Sequence, residues 1–263
     1  MENKWITFDL DGTLMQNPFG KWVFPEINET YAAATGHRDI VKDMVQEFKR
    51  RNDAKLYREA YDWDDILETV CAACGLDNEL NIVELVKKHA IPPKVYLLEE
   101  GIADILGELL AQGFALGVIT NGFSRYQLPV LEALGISDVF QKIVAPDIVG
   151  SAKPDPRIGD DYMENGSLIA HIGDRVDHDI SFANRLGVPS ILIDREMTEA
   201  LKAMAPEARA QNDAYLKRCR EKWERGTGSR PQDACDYTPT AAIHTLKELA
   251  DLECLQDVLA QNM

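Results

Sequence analysis

Short apolar runs that alternate with helical patterns constrain the fold of this 263-residue chain more than any other feature. Each run contains β-branched or aromatic residues and ends at a turn signal, and the segments between the runs have the apolar spacing of helices. Repeated strand–helix–strand units are right-handed and place their strands parallel in one sheet. We therefore predict an α/β protein whose parallel sheet is covered by helices on both faces. The runs lie at residues 4–10, 114–120, about 140–145, 167–173 and 189–194.

Residues 15–98 interrupt this alternation because they contain helical patterns alone. Glycine and proline end these patterns, as expected for separate helices joined by short turns. We predict an all-helical domain of residues 15–98, inserted after the first strand into a core made of residues 1–14 and 99–263. The predicted helices lie near residues 25–35, 37–51, 62–74 and 78–90.

A second irregular segment, residues 195–235, is rich in Ala, Glu, Lys and Arg. It predicts one or two solvated helices with a flexible loop, followed by a last amphipathic helix at about 239–259. The segment has a net charge of +2, whereas the rest of the predicted core has a net charge of −15. Its basic residues could either steer a phosphate or pack on the acidic core, and we favour packing.

The overall charge excludes two classes of function. Asp and Glu number 44 against 28 Lys and Arg, which gives a formal net charge of −16. Such a surface repels phosphate backbones and anionic lipids, so we expect neither a nucleic-acid partner nor a membrane partner. No apolar run reaches the ~20 residues that cross a bilayer, and no signal peptide is evident, so we expect a cytoplasmic location. The five scattered cysteines fit reduced thiols.

Two carboxylates follow the first predicted strand. Asp9 and Asp11 lie one residue apart, within the sequence Asp-Leu-Asp-Gly-Thr-Leu of residues 9–14. Ligand sites of parallel sheets lie beyond the carboxyl ends of the strands, and residues i and i+2 of an extended segment point the same way. Two such close carboxylates require either a bound Mg²⁺ or a shared proton with two different roles. The alternative is a capped turn, because Asp-Gly is common in turns.

Later strand ends supply further polar groups. Thr120 and Asn121 precede a glycine, which is typical of a strand–helix junction that cradles phosphate. Lys153 could neutralise phosphate charge. Asp174 and Asp179 follow the strand at 167–173 and bring more carboxylates to the same edge of the sheet. Acids that converge from two strand ends favour a magnesium site with oxygen ligands over a solvated surface.

These four motifs, taken in order, resemble those of the haloacid dehalogenase superfamily. The resemblance covers residues 1–14 and about 99–194, and the helical insert between the first two motifs resembles the C1 cap of subfamily I. It implies a Rossmann-like parallel sheet core with an inserted all-helical cap domain. Residues 120–123 and 131–135 are most similar to the phosphatase branch, which includes nucleotidases and phosphoglycolate phosphatases.

The resemblance also implies roles for the motif residues. Asp9 would be the nucleophile and Asp11 the general acid/base, while Thr120, Asn121 and Lys153 would bind the phosphoryl group. Mg²⁺ would be held by Asp9, Asp11 and Asp174, with Asp179 supporting the site.

The expected activity is a Mg²⁺-dependent phosphatase that hydrolyses a small phosphorylated metabolite through an aspartyl-phosphate. The presence of Asp11 favours phosphoryl chemistry, because the dehalogenases that name the superfamily lack this second aspartate. Two alternatives stay open. One is a phosphomutase of the β-phosphoglucomutase type, which shares both aspartates. The other is a non-catalytic protein that uses only the phosphate cradle.

Four residues outside the motifs are candidate substrate contacts. Phe19 and Trp22 lie where the family has a mobile flap, with core packing as the alternative. Arg50 and Arg51 form a basic cluster in the predicted cap, with a solvated helix face as the alternative. Asp177, within the last motif, is either a solvated loop acid or a support of the metal site.

Overall fold

The computed structural model describes residues 2–36 and 38–261 of the chain. Residue 37, where the second predicted helix was expected to begin, lies outside the described residues. Eight strands are found in the described residues: β1 Asn3–Phe8, β2 Met15–Gln16, β3 Tyr96–Leu97, β4 Ala115–Ile119, β5 Lys142–Val144, β6 Gly166–Gly173, β7 Ser190–Ile193 and β8 Ala241–Ile243.

The same residues form fourteen α-helices, joined by shorter helical turns. None of these described helices has both the length and the apolar character needed to cross a membrane. The helices are α1 Phe24–Thr35, α2 Ile40–Asp53, α3 Tyr57–Ala60, α4 Trp63–Ala73, α5 Ile82–His89, α6 Ile102–Ala111, α7 Ser124–Ala133, α8 Pro146–Val149, α9 Asp160–Glu164, α10 Ser181–Leu186, α11 Glu199–Lys202, α12 Pro206–Ala210, α13 Asp213–Thr227 and α14 Glu253–Ala260.

A parallel sheet of six strands forms the centre of the molecule, in the order β5-β4-β1-β6-β7-β8. Strand β1 lies between β4 and β6, and Phe8 is in register with both Val118 and Ile172. Strand β4 is buried along its whole length, as expected when helices cover both faces of a parallel sheet. The α/β fold with a Rossmann-like parallel sheet is therefore confirmed, and the carboxyl ends of β1, β4 and β6 are neighbours.

Helices α1–α5 occupy most of residues 15–98, in agreement with the helical patterns of the sequence. The description of this insert as all-helical is wrong at its two ends. Strands β2 and β3 pair there antiparallel, with Met15 opposite Leu97 and Gln16 opposite Tyr96. The reason is topological: an insert that leaves and returns to one point brings its first and last residues side by side, where two short strands can satisfy each other's backbone groups.

The segment 195–235 is packed against the sheet, and its prediction as solvated helices with a flexible loop is wrong for α12 and α13. Tyr215, Cys219 and Trp223 lie at helical spacing on one face of α13 and are buried. Arg209 on α12 is 1% exposed and donates to both carboxylate oxygens of Glu248, at 2.8 and 2.7 Å. The segment has few apolar residues, but those of α13 share one helix face and can therefore pack against the sheet.

Two basic residues of α13 pack on the acidic core, which was preferred over steering of a phosphate. Arg218 and Lys222 contact the buried carboxylate of Asp194, at the end of β7, over 3.1 and 3.2 Å.

The single amphipathic helix predicted at 239–259 is also wrong. Residues 241–243 form β8, which pairs with β7 so that Ile193 lies opposite Ile243. The rest of the segment forms a 3-10 helix at Leu246–Asp251 and then α14. Three apolar residues in a row are as compatible with a buried strand as with a helix, and here pairing with the edge of the sheet decides between them.

Candidate active site

Side chains that follow the central strands meet at the carboxyl edge of the sheet. Asp9 comes one residue after β1, Thr120 one residue after β4, and Asp174 directly after β6. Lys153 lies in the loop between α8 and α9, and its ammonium group donates to the carbonyl of Ile119 at 2.7 Å. The chain therefore brings the polar residues of its four motifs to one place, because parallel strands all end at the same edge.

A buried ammonium group links two of the carboxylates. Lys153 Nζ lies 2.7 Å from Asp9 Oδ1 and 2.5 Å from Asp179 Oδ1. The other oxygen of Asp9 accepts from the Thr13 hydroxyl at 3.3 Å. Asp179 also contacts His171 Nε2 at 3.1 Å and accepts from the Arg175 backbone N–H at 2.9 Å. Asp179 is thus 1% exposed, whereas Asp9, at 8%, is more open to the cavity described below.

Burial and mutual repulsion shift the pKa values of these groups apart. Burial, followed by the charges of Asp179, Asp174 and Asp11, raises the pKa of Asp9 to about 8 although Lys153 opposes this rise. Burial and the charge of Asp179 raise the pKa of Asp174 to about 7. Burial acts in the same sense on Asp179, but Lys153 and His171 hold the pKa of that carboxyl far below its usual range.

Three carboxylates are arranged as a divalent cation would require. One oxygen each of Asp9, Asp174 and Asp179 lie within 4.8 Å of one another. Asp174 Oδ1 is buried and makes no hydrogen bond with any residue that the structure describes. Gly12 leaves room for this carboxylate, since a Cβ at its position, with φ +86°, would lie 2.6 Å from Asp174 Oδ2. A donor set of oxygens alone suits Mg²⁺, and the residues present therefore fit such an ion.

Asp11 lies on the cavity beside these groups. Burial raises its pKa, while hydrogen bonds from Gln127 and Asn17 lower it. The Gln127 amide donates to Asp11 Oδ2 at 2.7 Å and to the Thr120 hydroxyl at 3.4 Å. The second aspartate is therefore held by a side chain of α7, which the motifs did not indicate.

Thr120 and Asn121 differ in how free they are to meet a ligand. The Asn121 side chain accepts from the Lys153 backbone N–H at 2.8 Å and donates to the Lys153 carbonyl at 3.0 Å. It also donates to the Tyr61 hydroxyl at 2.9 Å. Asn121 thus fixes the loop that carries Lys153, whereas the Thr120 hydroxyl faces the cavity between Gly122 and Gln127.

A cavity of about 270 Å³ opens over the carboxylates. Core residues form its base, and residues of the 15–98 segment form its other side. The latter are mostly aromatic: Phe19, Phe24, Tyr61 and Trp63. Its size is near the lower end for small-molecule sites, which usually span roughly 300–1,000 Å³. The remaining lining residues are Asp9, Asp11, Asn17, Thr120, Asn121, Gly122, Tyr126, Gln127, Lys153, Arg175, His178 and Asp179.

The two aromatic candidates for substrate contacts lie in different places. Phe19 lines the cavity, so its role as a substrate contact stays a prediction, whereas Trp22 does not line the cavity. The Trp22 ring stacks on His89 and lies 4.9 Å from the Lys94 ammonium. The Trp22 side chain is 39% exposed, so it lies at the surface of the insert.

Arg50 and Arg51 also lie away from the cavity, contrary to the prediction. Arg50 is exposed and pairs with Glu47 at 2.7 Å. Arg51 is buried and pairs with Glu47 and Asp65, at 2.7 and 2.6 Å. Both belong to an ion-pair network that joins α2 to α4 and leaves them no part in the site.

Aromatic cavity residues were missed because nothing in the sequence distinguishes them from core residues. Tyr61 directly follows α3, Trp63 is the first residue of α4, and Tyr126 lies on α7. The Tyr126 hydroxyl donates to Asp64 at 2.9 Å and accepts from the Asp64 N–H at 3.1 Å, so the insert contacts the core there. Gln127 and Arg175 had a weak signal, since each follows a motif closely in the chain.

Comparisons with known proteins agree with this geometry. The family model of haloacid dehalogenase-like hydrolases matches residues 3–187. A glyceraldehyde 3-phosphate phosphatase of Methanopyrus kandleri is 34% identical over 73% of this chain and 84% of its own length. One of the same name from Methanothermobacter thermautotrophicus is 34% identical, over 35% of this chain and 43% of its own length.

A solved structure has the same fold. The phosphatase from Thermococcus onnurineus aligns with a TM-score of 0.65 over 94% of this chain and 96% of its own, at 22% identity. Because the family model covers most of the chain and one relative is matched over most of its length, the family is established. This chain belongs to the haloacid dehalogenase-like hydrolases, and it is an enzyme of the hydrolase class.

Proposed function

We propose that this hydrolase cleaves phosphate monoesters of small metabolites, with Asp9 as the nucleophile and Mg²⁺ as the cofactor. The observation that carries the proposal is the cluster of Asp9, Asp174 and Asp179 beside a small cavity, in which Asp9 and Asp179 share one buried ammonium. Such a concentration of negative charge is costly unless cations are bound there. Relatives named as phosphatases of a three-carbon sugar phosphate support the substrate class.

Asp9 and Asp174 would hold the cation, together with the backbone carbonyl of Asp11, while Asp179 would support the site by fixing Lys153. When bound, the cation supplies positive charge that lets a carboxylate approach a phosphate dianion.

Asp9 and Asp11 divide the chemistry between them. Asp9 attacks phosphorus in line, forming an acyl phosphate as the bond to the leaving oxygen breaks. Asp11 donates its proton to that oxygen and then takes a proton from the water that attacks the acyl phosphate, which releases inorganic phosphate and restores Asp9. The raised pKa of Asp11 suits the first of these tasks.

Lys153 and Thr120 would stabilise the charge on the phosphoryl oxygens. Lys153 already touches the nucleophile, and the Thr120 hydroxyl faces the same cavity. Asn121 contributes by holding the Lys153 loop. Fixed donors of this kind are each worth on the order of 10²–10³ in rate.

The proposal is tested by phosphate release from an aryl phosphate such as p-nitrophenyl phosphate. We expect turnover with Mg²⁺, loss of turnover with a chelator, and recovery when Mg²⁺ is added in excess. Mg²⁺ should also raise the Tm, because it binds only the folded site. Activity that is insensitive to the chelator would contradict the metal assignment. Isomerised sugar phosphate with little free phosphate would instead indicate the phosphomutase.

We expect Gln127→Leu to lower kcat about tenfold, because general acid–base catalysis contributes roughly 10²–10⁴ and this change disturbs only the orientation and pKa of Asp11. The lost donor stabilised the ionised carboxylate, so the pKa of Asp11 rises further. Because Asp11 must be protonated to act as the general acid, the basic limb of the kcat–pH profile moves to higher pH. The matched control is Gln112→Leu at the exposed end of α6, which should leave the profile unchanged. An unshifted limb in the Gln127 variant would refute this role.

A further inference from the structure

Arg175 stands between the active-site cavity and the packed segment 195–235. It follows Asp174 directly, lines the cavity, and its side chain is 46% exposed. Its charge acts on the Tyr61 hydroxyl across the cavity, where it offsets part of the burial that raises the pKa of Tyr61 to about 12. Arg175 and Tyr61, a residue of the 15–98 segment, therefore line the same cavity.

A buried carboxylate holds the guanidinium group in place. Arg175 Nε donates to Asp177 Oδ1 at 3.0 Å, and Nη2 donates to Asp177 Oδ2 at 2.5 Å. This two-point contact fixes the plane of the group, as a single contact would not. The remaining nitrogen, Nη1, makes no hydrogen bond within the described part of the chain. Arg175 is therefore oriented, yet it keeps donors free.

Helix α13 supports Asp177 from behind. Asp177 is 6% exposed, and Gly226 of α13 packs directly on it. A Cβ at position 226 would lie 2.6 Å from the Asp177 Cγ, so only glycine leaves room for the carboxylate. In contrast, a Cβ at Gly107 in α6 would have nothing within 4 Å. The segment 195–235 is thus in contact with the residue that fixes Arg175.

Lys153 cannot bind a second anionic group, on the leaving group of the substrate, in addition to its place beside the phosphoryl group. Its ammonium has three donors, and these go to Asp9, Asp179 and the Ile119 carbonyl. Of the lysine and arginine side chains that line the cavity, Arg175 is the one with donors to spare. With the phosphoryl group at Asp9, the leaving group would extend into the cavity that Arg175 lines.

We propose that Arg175 is a specificity-determining residue that binds an anionic group, such as a carboxylate, on the leaving group of the substrate, and that Asp177 and α13 position it. The proposal rests on the proposed phosphatase function and names the substrate class of that site. The preferred substrates are then phosphate monoesters with a second negative charge a few bonds from the ester oxygen. A guanidinium that presents free N–H donors at a fixed angle suits a planar carboxylate.

The test compares two substrates that differ only at the far carbon. In 3-phosphoglycerate that carbon is a carboxylate, and in glycerol 3-phosphate it is a neutral alcohol. We expect the wild-type protein to have the higher kcat/KM for 3-phosphoglycerate. Arg175→Gln should lower the ratio of the two kcat/KM values by about 10- to 100-fold, the range for a lost charge-assisted hydrogen bond. Most of the change should be in KM, because the contact exists before and during reaction.

Two further variants test the support of Arg175. Asp177→Asn and Gly226→Ala should both raise KM for 3-phosphoglycerate more than for glycerol 3-phosphate, with Gly107→Ala as the glycine control that changes neither. If α13 only stabilises the fold, these variants should have a lower Tm, and their KM values for the two substrates should change by the same factor. Arg175→Lys keeps the positive charge but loses the planar arrangement of N–H donors. It should therefore restore only part of the wild-type ratio of the two kcat/KM values.

The outcomes separate this proposal from the proposed function. If no phosphate ester is turned over, including p-nitrophenyl phosphate, the phosphatase itself is refuted. If both three-carbon substrates are hydrolysed but their ratio is the same in the wild type and in Arg175→Gln, the phosphatase stands and the role of Arg175 is refuted.

Discussion

Asp9→Asn should abolish phosphatase activity, and in the absence of metal it should make the folded protein more stable. The rate should fall by at least ~10⁴, since loss of a nucleophile removes the covalent route rather than one stabilising contact. Phosphate release under single-turnover conditions measures this loss. Mass spectrometry of the acid-quenched wild-type enzyme should detect a phosphoryl adduct that the variant lacks.

The gain in stability follows from the sign of the pKa shift. The fold raises the pKa of Asp9 from 3.8 to about 8, so the ionised carboxylate is less favourable in the folded protein than in the unfolded chain. The resulting penalty is absent below pH 3.8 and grows until the pH reaches the folded value. At neutral pH, Asn removes this penalty. We expect a Tm increase of roughly 2–4 °C per kcal/mol recovered, and this increase should shrink as the pH falls towards 4.

The control for this prediction is Asp77→Asn. Asp77 is exposed, and no hydrogen bond or ion pair joins it to another described residue. Its replacement should change neither activity nor Tm. Mg²⁺ should stabilise the wild type and this control more than Asp9→Asn, because the variant has lost a ligand. A metal-free Asp9→Asn protein that is less stable than the wild type at neutral pH would contradict the reasoning.

Lys153→Met should have the opposite effect on stability while also removing activity. The change leaves Asp9 and Asp179 buried without their shared counterion. Breaking a buried ion pair in this way costs about 3–5 kcal/mol, or on the order of 10 °C in Tm. Loss of the charge on the phosphoryl group should cost at least 10²–10³ in rate. Thermal unfolding and kcat/KM for p-nitrophenyl phosphate measure the two effects.

A second substitution distinguishes loss of charge pairing from loss of packing. In Lys153→Met/Asp179→Asn the unpaired carboxylate of Asp179 is removed, so part of the Tm should return while activity does not. The surface control is Lys87→Met, whose ion pair with Glu84 is exposed on both sides and is worth at most ~1 kcal/mol. If Lys153→Met unfolds within 2 °C of the wild type, the buried pair does not stabilise the fold as argued.

The sequence was sufficient to place the site residues that directly follow strands of the sheet. Asp9, Thr120 and Asp174 each follow a buried apolar strand, and parallel strands deliver their next residues to a common edge. The local pattern was therefore enough to bring these three residues together. Lys153 was included through the family resemblance, since a Lys-Pro dipeptide alone indicates nothing.

Residues that reach the site from helix faces could not be found in this way. Gln127 has only its closeness to a motif to distinguish it, and Tyr61 has no such signal. Their contacts depend on how α7 and the turn after α3 pack. Arg50 and Arg51 were chosen for their charge, but nearby acids on α2 and α4 bind them. A charged residue on a helix pairs with whichever partner the packing places closest, and the sequence alone does not specify that partner.

The chain's own pattern of apolar runs, turn residues and motif acids determined the parallel sheet, its family and the edge at which the carboxylates meet, because these depend on backbone periodicity and strand order. The tertiary structure alone decided which side chains line the cavity and where the segment 195–235 packs. Gly226 and Asp177 are 49 positions apart in the chain, and their contact exists only because α13 folds back onto the loop after β6. Contacts between distant segments depend on packing and charge pairing in three dimensions, which local sequence periodicity does not encode.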